Sequence, residues 1–193
     1  MKIKAVIFDM DGTVVENSYN WPRIKAELGT GDLPILAYLN GLDEPERSAK
    51  WKILRKHEDK QTRSSVLKKG MAEILELLVE RGVRTALVTN NSRTNARRLL
   101  KKFGLRFDAV LTREGGLWKP SGAPLTRVME MLGFGPDECC VVGDTLFDVW
   151  AAQDAGIEKI FILHSDSSRF AMTPAEVVPS AEALWEKVRL LLE

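Results

Sequence analysis

Five short apolar runs, separated by helical patterns, constrain the fold of this sequence more than any other feature. Each run is apolar at consecutive positions rather than at alternating ones, which is typical of strands buried on both faces of a parallel sheet. The runs cover residues 3–8, 84–89, 108–111, 139–142 and 159–163. They predict a sheet whose strands are joined by crossover connections.

Between these runs, apolar residues recur at the spacing of one helix face. Glycine commonly follows the last residue of a helix, and the patterns end in this way. They end at Gly82, Gly104, Gly133 and close to Gly156, and a last helix begins at Ala181 with Ser180 as its cap. Strand and helix in alternation predict an α/β fold with a doubly wound, mainly parallel sheet.

One long segment interrupts this alternation between the first strand and the next helix. Residues 15–67 are too many for an ordinary crossover, and they contain helix-compatible stretches without a convincing strand. We interpret them as a small α-helical cap inserted into a core made of residues 1–14 and 68–193. We expect apolar contacts within the cap from Trp21, Ile24, Leu28, Leu36, Leu39, Trp51 and Leu54.

Composition and charge exclude several classes of protein. Apolar residues make up 45% of the 193 residues, charged residues make up 28%, and the formal net charge is +1, so the chain is globular without an overall bias toward nucleic acid or anionic membranes. Asp9 and Asp11 break the N-terminal apolar run before it could form a signal segment or a membrane span. We therefore expect a cytoplasmic protein without nucleic-acid or membrane partners.

The two cysteines, Cys139 and Cys140, are neighbours in a predicted strand. Neighbouring side chains in a strand point to opposite faces of the sheet, so these thiols are poorly placed to bond to each other. We interpret both as small apolar residues of the core.

Polar residues follow four of the predicted strands, at the sheet edge where open parallel sheets bind ligands. They are Asp9, Asp11 and Thr13; Thr89, Asn90 and Asn91; Lys119; and Asp144, Thr145 and Asp148. Aspartates without a histidine or thiol partner suit a hard cation such as Mg²⁺. Beside such an ion, one carboxylate can attack phosphorus, and a second can protonate the leaving oxygen and then activate water.

The first of these segments, Asp9-Met10-Asp11-Gly12-Thr13, resembles the first motif of the haloacid-dehalogenase-like phosphatases. Three later segments of this chain resemble the second, third and fourth motifs of the same family. They are Val88-Thr89-Asn90, Lys119-Pro120, and Gly143-Asp144-Thr145 with Asp148. Their order and spacing are similar to the branch that includes phosphoglycolate phosphatase and β-phosphoglucomutase. The resemblance implies a nucleophile, Asp9, and a general acid/base, Asp11. It further implies that Thr89, Asn90 and Lys119 bind the phosphate of the substrate. It also implies that Mg²⁺ is bound by Asp9, Asp144 and the backbone carbonyl of Asp11, with Asp148 in or next to the ligand shell of the metal.

The resulting hypothesis is a magnesium-dependent phosphatase that acts on a small phosphorylated metabolite through an aspartyl-phosphate. The alternatives are a phosphomutase of the β-phosphoglucomutase kind and a non-catalytic binding module that keeps the fold. A calcium loop is disfavoured because Thr13 and Val14 stand where it needs a further acid or amide and a glycine. Thr145 and Asp148 also form a plausible capping box, which is compatible with a functional Asp148.

Overall fold

A computed structural model describes residues 2–193 of the chain, and its central element is a six-stranded sheet in which all strands pair in parallel. The strands are β1 (Ala5–Phe8), β2 (Arg84–Val88), β3 (Ala109–Leu111), β4 (Cys139–Gly143), β5 (Lys159–Leu163) and β6 (Glu176–Val178). Their order in the sheet is β3-β2-β1-β4-β5-β6. The order reverses at β1, which confirms the predicted doubly wound α/β fold and gives a ligand-binding crevice next to this strand.

Eight α-helices accompany the sheet within the described residues. They are α1 (Trp21–Leu28), α2 (Ile35–Asn40), α3 (Glu46–Ser64), α4 (Met71–Glu80), α5 (Arg93–Phe103), α6 (Ala123–Leu132), α7 (Leu146–Asp154) and α8 (Ala181–Leu191). The predicted glycine stops are present: Gly104 and Gly133 take the left-handed conformation directly after α5 and α6. Ser180 accepts a hydrogen bond from the Ala183 N–H at the start of α8, as expected for an N-cap.

Both faces of the sheet are covered by helices. Alternate residues of β1 point to opposite faces: Phe8 belongs to an apolar cluster with residues of α4, α5 and α8, and Ile7 to a cluster with residues of α6 and α7. Burial of an apolar side chain of this size contributes about 1.5–3 kcal/mol. Cys139 and Cys140 are buried, free, and assigned to opposite clusters, as predicted. Packing on both faces fixes the position of β1, and with it the position of Asp9, the next residue in the chain.

The chain divides into two compact units. The first contains the residues up to Glu16 and those from Val66 onward, and the second is Asn17–Ser65. The second unit contains α1, α2 and α3, and α3 packs against the other two helices. The buried apolar residues of this unit are Ile24, Leu28, Leu36, Leu39 and Leu54. Trp21 is 39% exposed and stacks on Tyr19, with 4.4 Å between ring centroids.

The sheet contains one strand beyond the five expected. β6 has three residues, the first of which is the exposed Glu176, and it pairs with β5 at the edge of the sheet. No helix within residues 2–193 is both long enough and apolar enough to cross a membrane.

Candidate active site

The loop after β1 carries Asp9 and Asp11. The Asp9 N–H donates to the carbonyl of Val142, 2.9 Å away, so Asp9 is fixed where β1 meets β4. The chain then turns tightly, because the Met10 carbonyl accepts from the N–H groups of both Val14 and Val15. Gly12 has φ +102°, and a Cβ at this position would lie 1.9 Å from the Asp144 Oδ2. Only glycine fits both the conformation and this close approach.

Lys119 lies between two carboxylates in the interior. Its Nζ is 2.5 Å from Asp9 Oδ1 and 2.5 Å from Asp148 Oδ1, and the lysine side chain is only 5% exposed. Burial alone would lower the pKa of Lys119, but the charges of Asp148 and Asp9 outweigh burial and raise this pKa above its ordinary value. The ammonium group therefore stays charged.

Asp9, Asp144 and Asp148 form a cluster in which one carboxylate oxygen of each lies within 4.8 Å of the others. Burial raises the pKa of Asp144 to about 9, and repulsion from Asp9 and Asp148 adds to the effect. Burial also raises the pKa of Asp9 to about 6, although Lys119 opposes this shift. One ammonium group cannot neutralise three ionised carboxylates, so the cluster needs further positive charge for all three to ionise.

The unsatisfied group in this cluster is an oxygen of Asp144. Its Oδ1 is buried and has no hydrogen-bond partner among the described residues. A buried carboxylate oxygen without a donor is costly unless a cation binds it, and oxygen ligands are what Mg²⁺ prefers. The donor set and this orphaned atom therefore fit a divalent cation.

Asp148 combines a structural role with its contact to Lys119. Its Oδ2 accepts from the Thr145 N–H at 3.0 Å, the Thr145 hydroxyl at 2.8 Å and the Asp144 N–H at 3.2 Å. This is the capping box expected at the start of α7. Gly143 allows the approach, because a Cβ there would lie 2.3 Å from the Asp148 Cγ. Both Asp148 oxygens are thus engaged by protein donors, whereas Asp144 Oδ1 has none.

Thr89 and Asn90 follow β2 on the other side of β1. The buried Thr89 hydroxyl accepts from the Asn91 N–H at 3.0 Å, and a hydroxyl that accepts still has its own proton to donate. The Asn90 amide forms two hydrogen bonds with the backbone of Lys119, one to its carbonyl and one from its N–H, each 2.8 Å. The structure thus brings Lys119 and Asn90 together, with the Asn90 side chain holding the Lys119 backbone.

Several contacts of this region were absent from the sequence prediction. The Arg113 guanidinium donates to the carbonyl of Asn90 at 3.2 Å, and Glu114 accepts from the Arg93 N–H at 2.8 Å. Asn91 donates from Nδ2 to Asp11 Oδ2 at 2.9 Å. The signal for the first two was available, because Thr112, Arg113 and Glu114 follow β3 at the same edge of the sheet as the other polar segments.

Comparison with known proteins shows similarity over nearly the whole chain. A phosphoglycolate phosphatase of Chromobacterium violaceum is 30% identical over 190 residues, covering 83% of this chain and 85% of the relative. A phosphorylated carbohydrates phosphatase of Thermotoga maritima is 28% identical, covering 91% of this chain and 93% of the relative. The crystal structure of a hydrolase from Pseudomonas syringae has the same fold, with a TM-score of 0.81 at 18% identity, and covers 98% of this chain and 100% of that one.

The family model that matches the chain is that of the haloacid dehalogenase-like hydrolases, and it covers residues 6–162. This range includes Asp9, Asp11, Lys119, Asp144 and Asp148. The match spans most of the chain and agrees with the sheet order and with the position of the acidic cluster. The chain therefore belongs to the haloacid dehalogenase-like hydrolase family.

Proposed function

We propose that this enzyme is a magnesium-dependent phosphatase that hydrolyses a small phosphorylated metabolite through an aspartyl-phosphate at Asp9. One observation carries the proposal: Lys119 lies 2.5 Å from both Asp9 and Asp148, inside a buried acidic cluster at the end of β1. This arrangement supports a nucleophile that is held in place and partly neutralised. Relatives named as phosphatases of phosphoglycolate and of phosphorylated carbohydrates support the reaction class.

The proposed reaction has two displacement steps at phosphorus. In the first, an oxygen of Asp9 bonds to phosphorus, the ester P–O bond breaks, and the leaving oxygen takes a proton from Asp11. In the second, water attacks phosphorus and gives a proton to Asp11, while the bond between phosphorus and Asp9 breaks. The products are an alcohol and inorganic phosphate, and both aspartates return to their starting states.

The transferred group needs ligands for its oxygens during both steps. We assign these to the Thr89 hydroxyl, the Asn90 backbone N–H and the Lys119 ammonium. The assignment to the Asn90 backbone follows because its side chain is engaged by the Lys119 backbone. Lys119 and these donors would offset the negative charge that the phosphoryl group keeps throughout the reaction.

Asp9, Asp144 and the backbone carbonyl of Asp11 would hold Mg²⁺, with Asp148 in or next to its ligand shell. When bound, the ion would supply the positive charge that lets an anionic carboxylate approach an anionic phosphate. The buried, unpartnered Asp144 Oδ1 supports this assignment.

Phosphate release from a panel of phosphorylated metabolites tests the proposal. Phosphoglycolate, sugar phosphates and nitrophenyl phosphate would each be incubated with Mg²⁺ and, in parallel, with EDTA. We expect release that depends on Mg²⁺, together with an acid-stable label on Asp9 after quenching a turnover of radiolabelled ester. No release from any member of the panel, or full activity in EDTA, would contradict the proposal. Transfer of the label to a sugar without phosphate release would instead identify a phosphomutase.

A further inference from the structure

Asn91 contacts the proposed general acid/base directly. It follows β2 by three residues, is 4% exposed, and donates from Nδ2 to Asp11 Oδ2 over 2.9 Å. The two residues are 80 positions apart in sequence, so this hydrogen bond joins the loop after β1 to the loop after β2. The bond joins the neutral amide of Asn91 to one of the two carboxyl oxygens of Asp11.

The neighbours of Asn91 determine which end of its amide faces Asp11. Its Oδ1 accepts from the Ser92 N–H at 2.7 Å and from the Asn95 Nδ2 at 3.3 Å. Both partners are donors, so they require the oxygen on their side and leave the amide nitrogen toward Asp11. The orientation is therefore set by hydrogen bonding, and Asn91 offers Asp11 a donor.

We propose that Asn91 is a positioning residue that holds Oδ2 of Asp11 and thereby fixes the orientation of the carboxyl group that exchanges a proton with the leaving group. This inference rests on the proposed function, in which Asp11 is the general acid. It concerns the orientation of the carboxyl group.

The backbone of the same residue acts on a second part of the site. The Asn91 N–H donates to the Thr89 hydroxyl at 3.0 Å, while its side chain holds Asp11. Asn91 thus fixes the distance between a proposed phosphate ligand and the group that protonates the leaving oxygen. Such alignment matters because small displacements of a proton donor cost large factors in rate.

The dependence of rate on the leaving group tests this role. An alkyl phosphate needs its leaving oxygen protonated, whereas nitrophenolate is a stable anion that departs with little help. In single turnovers with excess enzyme, we expect Asn91→Ala to slow alcohol release from the alkyl ester by about 10- to 100-fold. Release of nitrophenol should be slowed by a factor at least about tenfold smaller.

Asn91→Asp provides a second variant that keeps the shape of the loop. Its carboxylate can still accept from the Ser92 N–H and the Asn95 amide, but it presents an acceptor to Asp11 instead of a donor. We expect it to show the same dependence on the leaving group as Asn91→Ala. If Asn91→Ala does not fold, Asn91→Asp alone decides the question.

Ser92→Ala is the matched control, because it removes the cap that accepts from the Asn95 N–H but leaves the contact between Asn91 and Asp11. It should slow both esters by similar factors. Equal slowing of both esters by the Asn91 variants, or no slowing, would overturn the positioning role while the wild type still releases phosphate. A wild type that cleaves no ester would overturn the proposed function, and this inference with it.

Discussion

Two groups of three titratable side chains lie in different units of the molecule and differ in their surroundings. In the core, Lys119 joins Asp9 and Asp148, and all three are buried. In the insertion, the exposed Glu27 accepts from Arg23 Nε at 2.8 Å and lies 2.7 Å from His57 Nε2. The distances are similar, so geometry alone does not distinguish the groups.

Burial makes the difference. Water screens the exposed group, and ion pairs of that kind contribute little to stability. The buried group must overcome the desolvation of every charge, and it contains more negative than positive charge. A fold that only needed stability would gain by replacing it with apolar residues. The comparison indicates that the buried group is kept for chemistry, and the following predictions test that reading in order of expected effect.

Asp9→Asn should have the largest effect. The amide is close in shape to the carboxylate and can still accept from Lys119, so the protein should remain folded, but an amide does not replace the nucleophile. We expect phosphate release to fall by a factor on the order of 10⁴ or more, with the circular dichroism spectrum unchanged. Wild-type turnover in this variant would show that another residue attacks phosphorus.

Lys119→Met should reduce stability as well as activity. Removing one partner of a buried ion pair costs about 3–5 kcal/mol, because the remaining charges are left uncompensated. Lys187→Met is a matched control, since Lys187 pairs with Glu176 at 2.5 Å but both side chains are about half exposed. Its cost should stay below about 1 kcal/mol. Urea unfolding measures both, and equal costs would contradict the distinction based on burial.

Mg²⁺ should stabilise the folded protein, and Asp144→Asn should remove most of that effect. An ion present at about 100 times its dissociation constant adds about 2.7 kcal/mol to the free energy of unfolding. The variant lacks the charge of the carboxylate whose Oδ1 has no other partner. Thermal unfolding with Mg²⁺ and with EDTA checks this, and an unchanged response of the variant would remove Asp144 from the ion site.

Stability without divalent ions should depend on pH through the same residue. The pKa of Asp144 is about 9 in the folded protein and has a reference value of 3.8. Between these values the folded chain binds the proton and the unfolded chain does not, so the free energy of unfolding should fall as pH rises from about 4 to about 9. In EDTA, Asp144→Asn should flatten this slope. A variant as pH-dependent as the wild type would assign the slope to other groups.

Glu27→Gln should have the smallest effect. It removes the carboxylate from the exposed group of the insertion but keeps a hydrogen-bonding side chain of the same length. We expect the melting temperature to change by no more than about 2 °C. A larger loss would mean that the charges of the insertion are also under strong electrostatic constraint.

Sequence patterns predicted the sheet and its flanking helices well, because each depends on local periodicity and on glycine at helix ends. β6 was missed because three residues that begin with the exposed Glu176 carry too little apolar signal. The positions of Asp9, Asp144 and Asp148 followed from a general property of parallel sheets, that polar residues at the carboxyl ends of strands meet at one edge. The prediction for Lys119 rested on the family resemblance.

The sequence did not predict the hydrogen bonds that orient these residues. The contact of Asn91 with Asp11 spans 80 positions, and that of Asn90 with the Lys119 backbone spans 29. Neither has a periodicity, and the side chain of an asparagine can donate, accept or face solvent equally well. The partner of each amide is decided by how the loops fold back, and only three-dimensional coordinates contain that information.

Gly12 and Gly143 carry a practical consequence for engineering. Because a methyl group at either position would lie within 2.4 Å of a carboxyl atom of Asp144 or Asp148, randomising them would displace the acidic residues in nearly every clone. A mutagenesis library that seeks new substrates should keep both codons constant.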